Sequence, residues 1–282
     1  MSSAIGQLLV HLDSSGRSSA RLEFARALAQ QHGASLAAQY AATPSIVALP
    51  YGFEGGAGLA VQMRELDDER RIRARAAFDE SMKRPGTTAT WSDSIEFGII
   101  DGFARQALYA DLMVLGQFDY AQKEMAEVPV DFVESVMVAS GKAAIVVPWA
   151  GAVRDPGGTV VIAWKETAQS ARAVAAAMPL LQRAGKVHVV TWAEEQTHAD
   201  TGRSAALSLD SYLRAHKVEA VWHHQGDEPS HLGELLLSTV FDLDAGLLVM
   251  GCYGHSRARE WVLGGVSRTI LESMTLPVLM AH

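Results

Sequence analysis

The sequence predicts an α/β protein made of two tandem domains, each with an open parallel five-stranded sheet and helices on both faces. Four apolar runs, QLLVHL, TVVIAW, DLMVLG and GLLVMG, are continuous rather than alternating. Strands that are buried on both faces of a parallel sheet have this pattern. In addition, the same order of elements occurs twice along the 282 residues, which indicates a duplicated domain.

The repeat is visible in matching segments of the two halves. ADLMVLGQFD at 110–119 matches AGLLVMGCYG at 245–254, and each is followed by a helical stretch and a terminal apolar run, AAIVVPW or LPVLMAH. Between the halves, PWAGAVRDPGG is rich in turn-forming residues. We therefore predict domains at 1–149 and 158–282, joined by a linker at 150–157.

Each half begins with a strand, a helix, a glycine and a second strand. A second helix and three more strands with intervening helices follow. In the first half the first helix is predicted near 16–32, closed by Gly33, because a glycine just past a helix readily adopts the left-handed conformation that ends it. The second helix is predicted near 58–83 and carries a charged face.

In the second half the first helix is predicted near 167–184, closed by Gly185, and the second near 200–216. A later helix is predicted in VSRTILESM. The terminal runs AAIVVPW and LPVLMAH are apolar, and an uncovered edge strand of that kind is a liability. We therefore expect the two domains to pack through these last strands, and chains to pair further into homodimers.

Composition excludes several classes of function. The net charge is −8, whereas a sequence-independent nucleic-acid binder needs a basic face, so we expect no nucleic-acid partner. No apolar run approaches the ~20 residues that span a membrane, and MSSAIGQLLVHLD lacks the basic and apolar regions of a secretory signal. A single cysteine, Cys252, fits a reducing cytosol. We expect a cytoplasmic protein without a membrane partner.

The stretch GCYGHSRAREWVLGG, from 251 to 265, contains the strongest candidate site. In an open parallel sheet ligands bind beyond the carboxyl ends of strands. Gly251 ends a strand, Gly254 lies in the following loop, and Gly264 and Gly265 precede a helix whose free N–H groups and dipole favour an anion. Such glycines also serve as turns and caps. Because the stretch contains neither a Walker loop nor G-x-G-x-x-G, the residues alone predict an anion site rather than a nucleotide.

The spacing Gly251-x2-Gly254-x9-Gly264 resembles the ATP-binding signature of universal stress proteins, normally G-x2-G-x9-G-[S/T]. The text YGHSRAREWVLGGVSRTILESMTLPVLM is similar to the C-terminal half of tandem members of that family, and the resemblance extends over both halves. It implies an adenine-nucleotide-alpha-hydrolase-like, Rossmann-like fold, two domains packed as a pseudo-dimer and a cytoplasmic role in stress survival. It also implies binding of ATP or AMP, with Mg²⁺ as a companion of ATP.

The resemblance assigns the nucleotide to the second domain. Trp164 and Trp192 end the first two strands of that domain, where they either stack on a base or fill the core. The predicted nucleotide-binding residues are Gly251, Gly254, His255, Ser256, Gly264, Gly265, Val266, Ser267, Ala163, Trp164, Lys165 and Trp192.

Several positions depart from the family pattern. Gly265 replaces the usual serine or threonine, and Lys165 stands where the first half keeps the family's aspartate, Asp13. The first half retains Gly116 but has Asp119 in place of the second glycine. At the start of the later helix it has Asp131, so these carboxylates would repel phosphate. We therefore predict at most one nucleotide per chain.

Other candidates are weaker. The glycine-rich stretch at 51–60 is predicted to be a loop. His223 and His224 point to opposite faces of a strand, so together with His231 they do not form a simple metal site. Cys252 is either a reactive thiol or a small side chain beneath a ligand. No catalytic residue is assigned and no G-x-S-x-G elbow occurs. Besides nucleotide binding, an interaction scaffold of the same fold and a slow ATPase remain open.

Overall fold

The computed structural model describes residues 5–48, 57–93, 98–150, 157–192, 207–226, 231–252 and 265–282. The chain divides into two compact units, Ile5–Lys142 and Ala143–His282, here termed the first and the second unit. Each is an α/β structure of mostly parallel strands and helices, as the sequence predicts. The domain limits at 149 and 158 stay a prediction.

The first unit alternates strands and helices. Its strands lie in the order β3-β2-β1-β4, and every pair is parallel. Short 3-10 helices lie at Ser45–Ala48 and Tyr120–Met125. The elements are β1 (Gln7–Leu12), α1 (Ser18–His32), β2 (Ser35–Tyr40), α2 (Ala57–Met82), β3 (Ala89–Ser92), α3 (Ile99–Ala107), β4 (Leu112–Gly116) and α4 (Phe132–Ser140).

The second unit has the same plan with one extra strand. Five parallel strands lie in the order β10-β9-β6-β7-β8, and β5 pairs antiparallel with β10. The elements are β5 (Ala144–Val147), β6 (Thr159–Ala163), α5 (Ala168–Leu181), β7 (Lys186–Thr191), α6 (Leu209–Ala215), β8 (Ala220–His224), α7 (Leu232–Asp242), β9 (Leu247–Gly251), α8 (Gly265–Ser273) and β10 (Val278–Ala281).

The strand β5 ends the first sequence repeat but belongs to the second compact unit. Ile145 lies opposite Leu279 and Val146 opposite Val278 in its pairing with β10. These four side chains are almost fully buried. The terminal apolar runs of the two halves therefore pair with each other within the second unit, while the packing of two domains through these strands stays a prediction.

The helices cover both faces of the strands. In the first unit the chain steps from β1 to β2 to β3 in one direction and then returns to β4 on the far side of β1. Because such connections are right-handed, the outward and the returning helices lie on opposite faces. Accordingly α1 packs against α2, and α3 against α4. The second unit repeats the order of strands.

The helix ends show where the sequence reasoning holds and where it is wrong. Gly33 closes α1 in the left-handed conformation, with φ of 66°. The helix α5, however, already ends at Leu181, and Gly185 does not close it. The chain leaves the helix through a tight turn in which Arg183 N–H donates to the Leu180 carbonyl. Gly185 instead donates to the Gly158 carbonyl at 2.9 Å, just before β7.

Two further limits differ from the prediction. The helix α2 begins by Ala57, so the last four residues of the stretch 51–60 are helical; 26 helical residues tolerate the propensity cost of Gly58, about 1 kcal/mol. The helix α6 begins only at Leu209, because the Ser208 hydroxyl accepts from Ser211 N–H as an N-cap. Its predicted start at 200 lies outside the described residues. In the described part of the chain no helix is long and apolar enough to cross a bilayer.

Candidate functional site

The candidate site of the second unit lies at the carboxyl ends of three adjacent strands. Ala163, the last residue of β6, is opposite Val190 of β7 and Met250 of β9. Because these strands are parallel, their ends share one edge. The structure thus brings together Ala163, Trp164, Trp192 and Gly251 of the predicted residues, while Gly254, His255, Ser256 and Gly264 lie outside the described residues.

Gly251 has a packing reason for lacking a side chain. A Cβ atom on it would lie 2.5 Å from the Ser170 backbone nitrogen and 2.8 Å from the Gln169 carbonyl carbon. The start of α5 therefore fills the space before Gly251. Gly251 is one of the predicted nucleotide-binding residues, but close approach of a helix already requires a glycine at this position.

The turn between β6 and α5 is fixed by a residue that the sequence reasoning missed. The Thr167 hydroxyl accepts from Ser170 N–H at 3.2 Å and caps α5, and Thr167 N–H donates to the Lys165 carbonyl at 2.7 Å. A threonine three residues before a serine is a signal that could have found this cap. The turn leaves the Lys165 side chain exposed at the strand ends.

Trp192 carries an unsatisfied donor at this edge. Its side chain is half-buried, and the buried indole N–H finds no acceptor among the described residues. A buried tryptophan N–H normally has a partner, because leaving a donor unpaired costs about 1–3 kcal/mol. Trp164, also half-buried, directly follows the neighbouring strand β6 and donates its backbone N–H to the Val190 carbonyl.

The predicted residues on α8 differ in exposure. Gly265 is exposed, and a Cβ atom on it would have no heavy atom of the described residues within 4 Å, so these residues leave room for a side chain. Val266 is half-buried, and Ser267 is only 6% exposed. Cys252, just after β9, is 1% exposed and its thiol donates to the Ala281 carbonyl at 3.3 Å. That burial favours the small packing side chain over the reactive thiol.

In the first unit the corresponding strand ends are filled by a buried ion pair. Arg21 of α1 donates from Nε to the His11 carbonyl at 2.6 Å and from Nη2 to Asp13 Oδ2 at 2.9 Å. Both charged side chains are buried. A Cβ atom on Gly116 would collide with the Arg21 guanidinium, so this glycine makes room for an arginine.

Burial and this ion pair shift two titrations. Burial alone would raise the pKa of the Asp13 carboxyl, but the Arg21 guanidinium and hydrogen bonds from Ser15 and Arg21 hold that pKa well below its usual range. Burial, reinforced by the Arg21 charge, lowers the pKa of His11 to about 4. The His11 ring contacts the rings of Phe103 and Phe132, which also contact each other, and its Nε2 lies 2.8 Å from the Ala41 carbonyl oxygen.

The segment after β4 has three carboxylates that the chain itself satisfies. Asp119 accepts from Ala121 N–H at 2.9 Å and from the Gln122 amide at 2.7 Å. Asp131, just before α4, accepts from the Ser135 hydroxyl at 2.9 Å. The third carboxylate is that of Glu127.

Glu127 reaches from this segment to the carboxyl end of β1. Its carboxylate accepts from Ser14 N–H at 3.0 Å and from the Ser14 hydroxyl, and Arg70 Nε of α2 lies 3.7 Å away. The sequence reasoning missed this contact, because no local pattern joins residues 113 positions apart.

The two adjacent histidines of β8 form separate contacts. His223 Nε2 lies 2.6 Å from His188 Nδ1, whereas His224 Nδ1 lies 3.0 Å from the Thr191 hydroxyl. His223 and His224 thus have different partners, as the alternation along a strand requires. The described residues contain no group of three side chains suited to hold a metal ion.

No family model matches the chain, and no curated protein matches it. Solved structures do. A universal stress protein from Archaeoglobus fulgidus has 16% identity and a TM-score of 0.68, with 97% of this chain and 94% of its own covered. A putative universal stress protein from Pseudomonas aeruginosa has 16% identity and a TM-score of 0.55. A functionally unknown protein from the same organism has 15% identity and a TM-score of 0.60. Each of these two matches covers 98% of this chain and 92% of the other chain.

The parallel strands, the helices on both faces and the candidate site at the strand ends define a Rossmann-like α/β protein. Over nearly its whole length the chain has the fold of universal stress proteins. At these identities the likeness shows the fold; the ligand and the role follow as proposals.

Proposed function

We propose that this chain is a tandem universal stress protein that acts in stress survival and binds one adenine nucleotide, ATP or AMP, through its second unit. The observation that carries the proposal is the contrast between the two sets of strand ends. In the first unit Arg21 and Glu127 supply charges that fill the edge. In the second, Trp192 keeps a buried N–H without an acceptor in the described part of the chain.

The chemistry of the second unit fits a nucleotide. The Trp192 N–H would donate to a ring nitrogen or ribose oxygen, and the half-buried Trp164 ring would stack on a base. The exposed Lys165 adds positive charge at the same edge. The helix α8, which includes Gly265, would direct its N-terminal N–H groups to phosphate. The resemblance to universal stress proteins adds four further residues to this proposed site: Gly254, His255, Ser256 and Gly264.

Mg²⁺ would accompany ATP rather than bind the protein alone. The described residues contain no group of three metal-ligating side chains, so phosphate oxygens and water would supply most of its ligands. Turnover, if measured as phosphate release, is expected to be slow, because the motif offers no general base besides His255.

A scaffold of the same fold that binds protein partners without nucleotide is the second candidate. The self-filled strand ends of the first unit favour it, since that unit has its own charges where a ligand would bind. For either candidate we expect a cytoplasmic homodimer. Light scattering at micromolar concentration measures the assembly, and a monomer would contradict the dimer.

The test of nucleotide binding is calorimetric titration with ATP and AMP. Gly254→Asp copies Asp119 of the first half and should abolish binding. Trp192→Phe keeps an aromatic ring but removes the N–H, so affinity should fall about fivefold, as for one lost hydrogen bond. Trp222→Phe is the matched control, because Trp222 lies in β8 and stacks on His224.

The stoichiometry decides between the units. One nucleotide per chain is expected. Two per chain, or binding that is indifferent to Gly254→Asp, would refute the assignment to the second unit. If neither the wild type nor Gly265→Ser binds, and denatured protein from its host releases no adenine nucleotide, the scaffold replaces the nucleotide-binding proposal.

A further inference from the structure

Glu127 of the first unit is bound in the manner of a ligand. Two donors of one residue, the Ser14 backbone N–H and hydroxyl, meet its carboxylate, and the Arg70 guanidinium adds a positive charge at 3.7 Å. The Glu127 side chain is only 9% exposed. Paired donors backed by an arginine are a common arrangement for recognising a carboxylate or a phosphate.

The strap, defined as the segment 117–131 between β4 and α4, is tied down at Glu127. The Thr43 backbone N–H donates to the Glu127 carbonyl at 2.6 Å, so both the backbone and the side chain of this residue are held. Nearby on the strap, Tyr120, Met125 and Val130 are 41%, 64% and 44% exposed. This part of the strap therefore gains little from apolar burial, and the Glu127 contacts carry much of its attachment.

The neighbouring carboxylates do not replace Glu127. Asp67 accepts from the Ser45 backbone N–H at 3.0 Å and from the Ser45 hydroxyl at 2.5 Å. It also lies 3.7 Å from Arg70 Nη1, so Arg70 keeps this carboxylate when Glu127 is removed, but Asp67 does not contact the donors of Ser14. Asp13 is paired with Arg21. Without the Glu127 carboxylate, the two donors of Ser14 would lose their anion, and the cluster would hold two carboxylates and two guanidinium groups.

We propose that Ser14 and Arg70 form an oxyanion site, for a carboxylate or a phosphate group, and that Glu127 is its internal ligand. The strap closes this site against anions from solution, and a lifted strap opens it. The site lies in the first unit and does not depend on nucleotide binding by the second.

The test is chemical rescue of Glu127→Ala. Acetate and inorganic phosphate are titrated separately into the full-length variant, with potassium chloride at equal ionic strength as the salt control. Either oxyanion at several times its Kd should raise the unfolding midpoint by about 2–4 °C, whereas the wild type should not respond. Glu69→Ala removes an exposed carboxylate of α2 and is the matched control. Adding Arg70→Ala to Glu127→Ala should abolish the response.

The relative response to acetate and phosphate tells which oxyanion the site prefers, and either preference supports the site. A folded Glu127→Ala protein that responds to no anion, or equally to chloride, would overturn the proposal. If this variant is unfolded in anion-free buffer, acetate or phosphate should restore its near-ultraviolet circular dichroism, and failure of both to do so would overturn the proposal as well.

Discussion

The two units place a Ser-Ala-Arg tripeptide in their first helices with opposite results. In α1 it occupies 19–21, and Arg21 is 4% exposed and paired with Asp13. In α5 it occupies 170–172, and Arg172 is exposed and donates to the His282 carbonyl at 3.0 Å. A buried carboxylate at the end of β1 attracts the arginine inward. At the end of β6 the residue is Lys165, whose charge would repel it.

The same contrast explains two glycines at equivalent strand ends. Gly116 leaves space for the Arg21 side chain, whereas Gly251 leaves space for the backbone at the start of α5. A glycine at this place in the repeat is therefore compatible with a packed side chain and with a packed helix backbone. What differs is the charged residue at the end of the first strand, Asp13 or Lys165.

The largest expected effect comes from removing the buried cation. Arg21→Ala leaves the Asp13 carboxylate buried without its partner and should destabilise the protein by about 3–5 kcal/mol in urea unfolding. Arg172→Ala is the matched control and should cost about 1 kcal/mol or less, since its side chain is exposed. Equal losses in the two variants would break the comparison of the units.

Acidification should destabilise the first unit through His11. Its pKa is lowered from 6.5 to about 4, so below 6.5 the unfolded chain takes up a proton that the folded chain refuses. The protein therefore keeps the full contribution of the neutral His11 to its stability above pH 6.5. As the pH falls from 6.5 to about 4, the free energy of unfolding decreases by about 3 kcal/mol in all. Urea unfolding across this pH range should show that the free energy of unfolding falls with falling pH, and His11→Gln should make this fall smaller.

In the second unit burial, aided by the charges of His223 and Lys186, also lowers the pKa of His188. The sign is the same, so His188→Gln should remove a further part of the acid slope. A wild type whose unfolding free energy is constant from pH 7 to pH 4.5 would exclude both contributions.

Gly251→Ala should cost about 1–3 kcal/mol, because its Cβ atom would overlap the backbone of α5. Gly265→Ala is the control. It adds a methyl group in open space and improves helix propensity, so it should be neutral or stabilising by up to about 1 kcal/mol. Thermal unfolding distinguishes them. A harmless Gly251→Ala would mean that α5 does not require this glycine.

Much of the fold could be predicted from the sequence, because buried parallel strands appear as continuous apolar runs and the repeat appears as matching segments. Gly33 closes α1 because it follows the helix directly and is itself in the left-handed conformation. In α5 the chain leaves the helix through a tight turn before it reaches Gly185. Local patterns locate strands well. They locate helix ends only where one residue decides the conformation.

The site was less predictable, because its decisive contacts join distant residues. Nothing local marks Glu127 as a partner of Ser14, or shows that the hydroxyl of Thr167 caps α5 beside the strand ends. The motif suggested a ligand for Gly251, but the start of α5 fills the space beside this glycine. The sequence predicts that this helix exists, but it does not show which residue the helix packs against.

The smallest expected effect is a gain of affinity in the second unit. Gly265→Ser supplies the hydroxyl that the family signature has after its third glycine, and the part of the chain that the structure describes leaves space for this side chain. One added hydrogen bond to phosphate is worth about 1 kcal/mol, or about a fivefold lower Kd for ATP by calorimetry. Gly265→Ala, which fills the same space without a hydroxyl, separates the hydrogen bond from the change in helix propensity. If serine and alanine alter the Kd equally, the hydroxyl does not reach the phosphates, and the start of α8 is not where they bind.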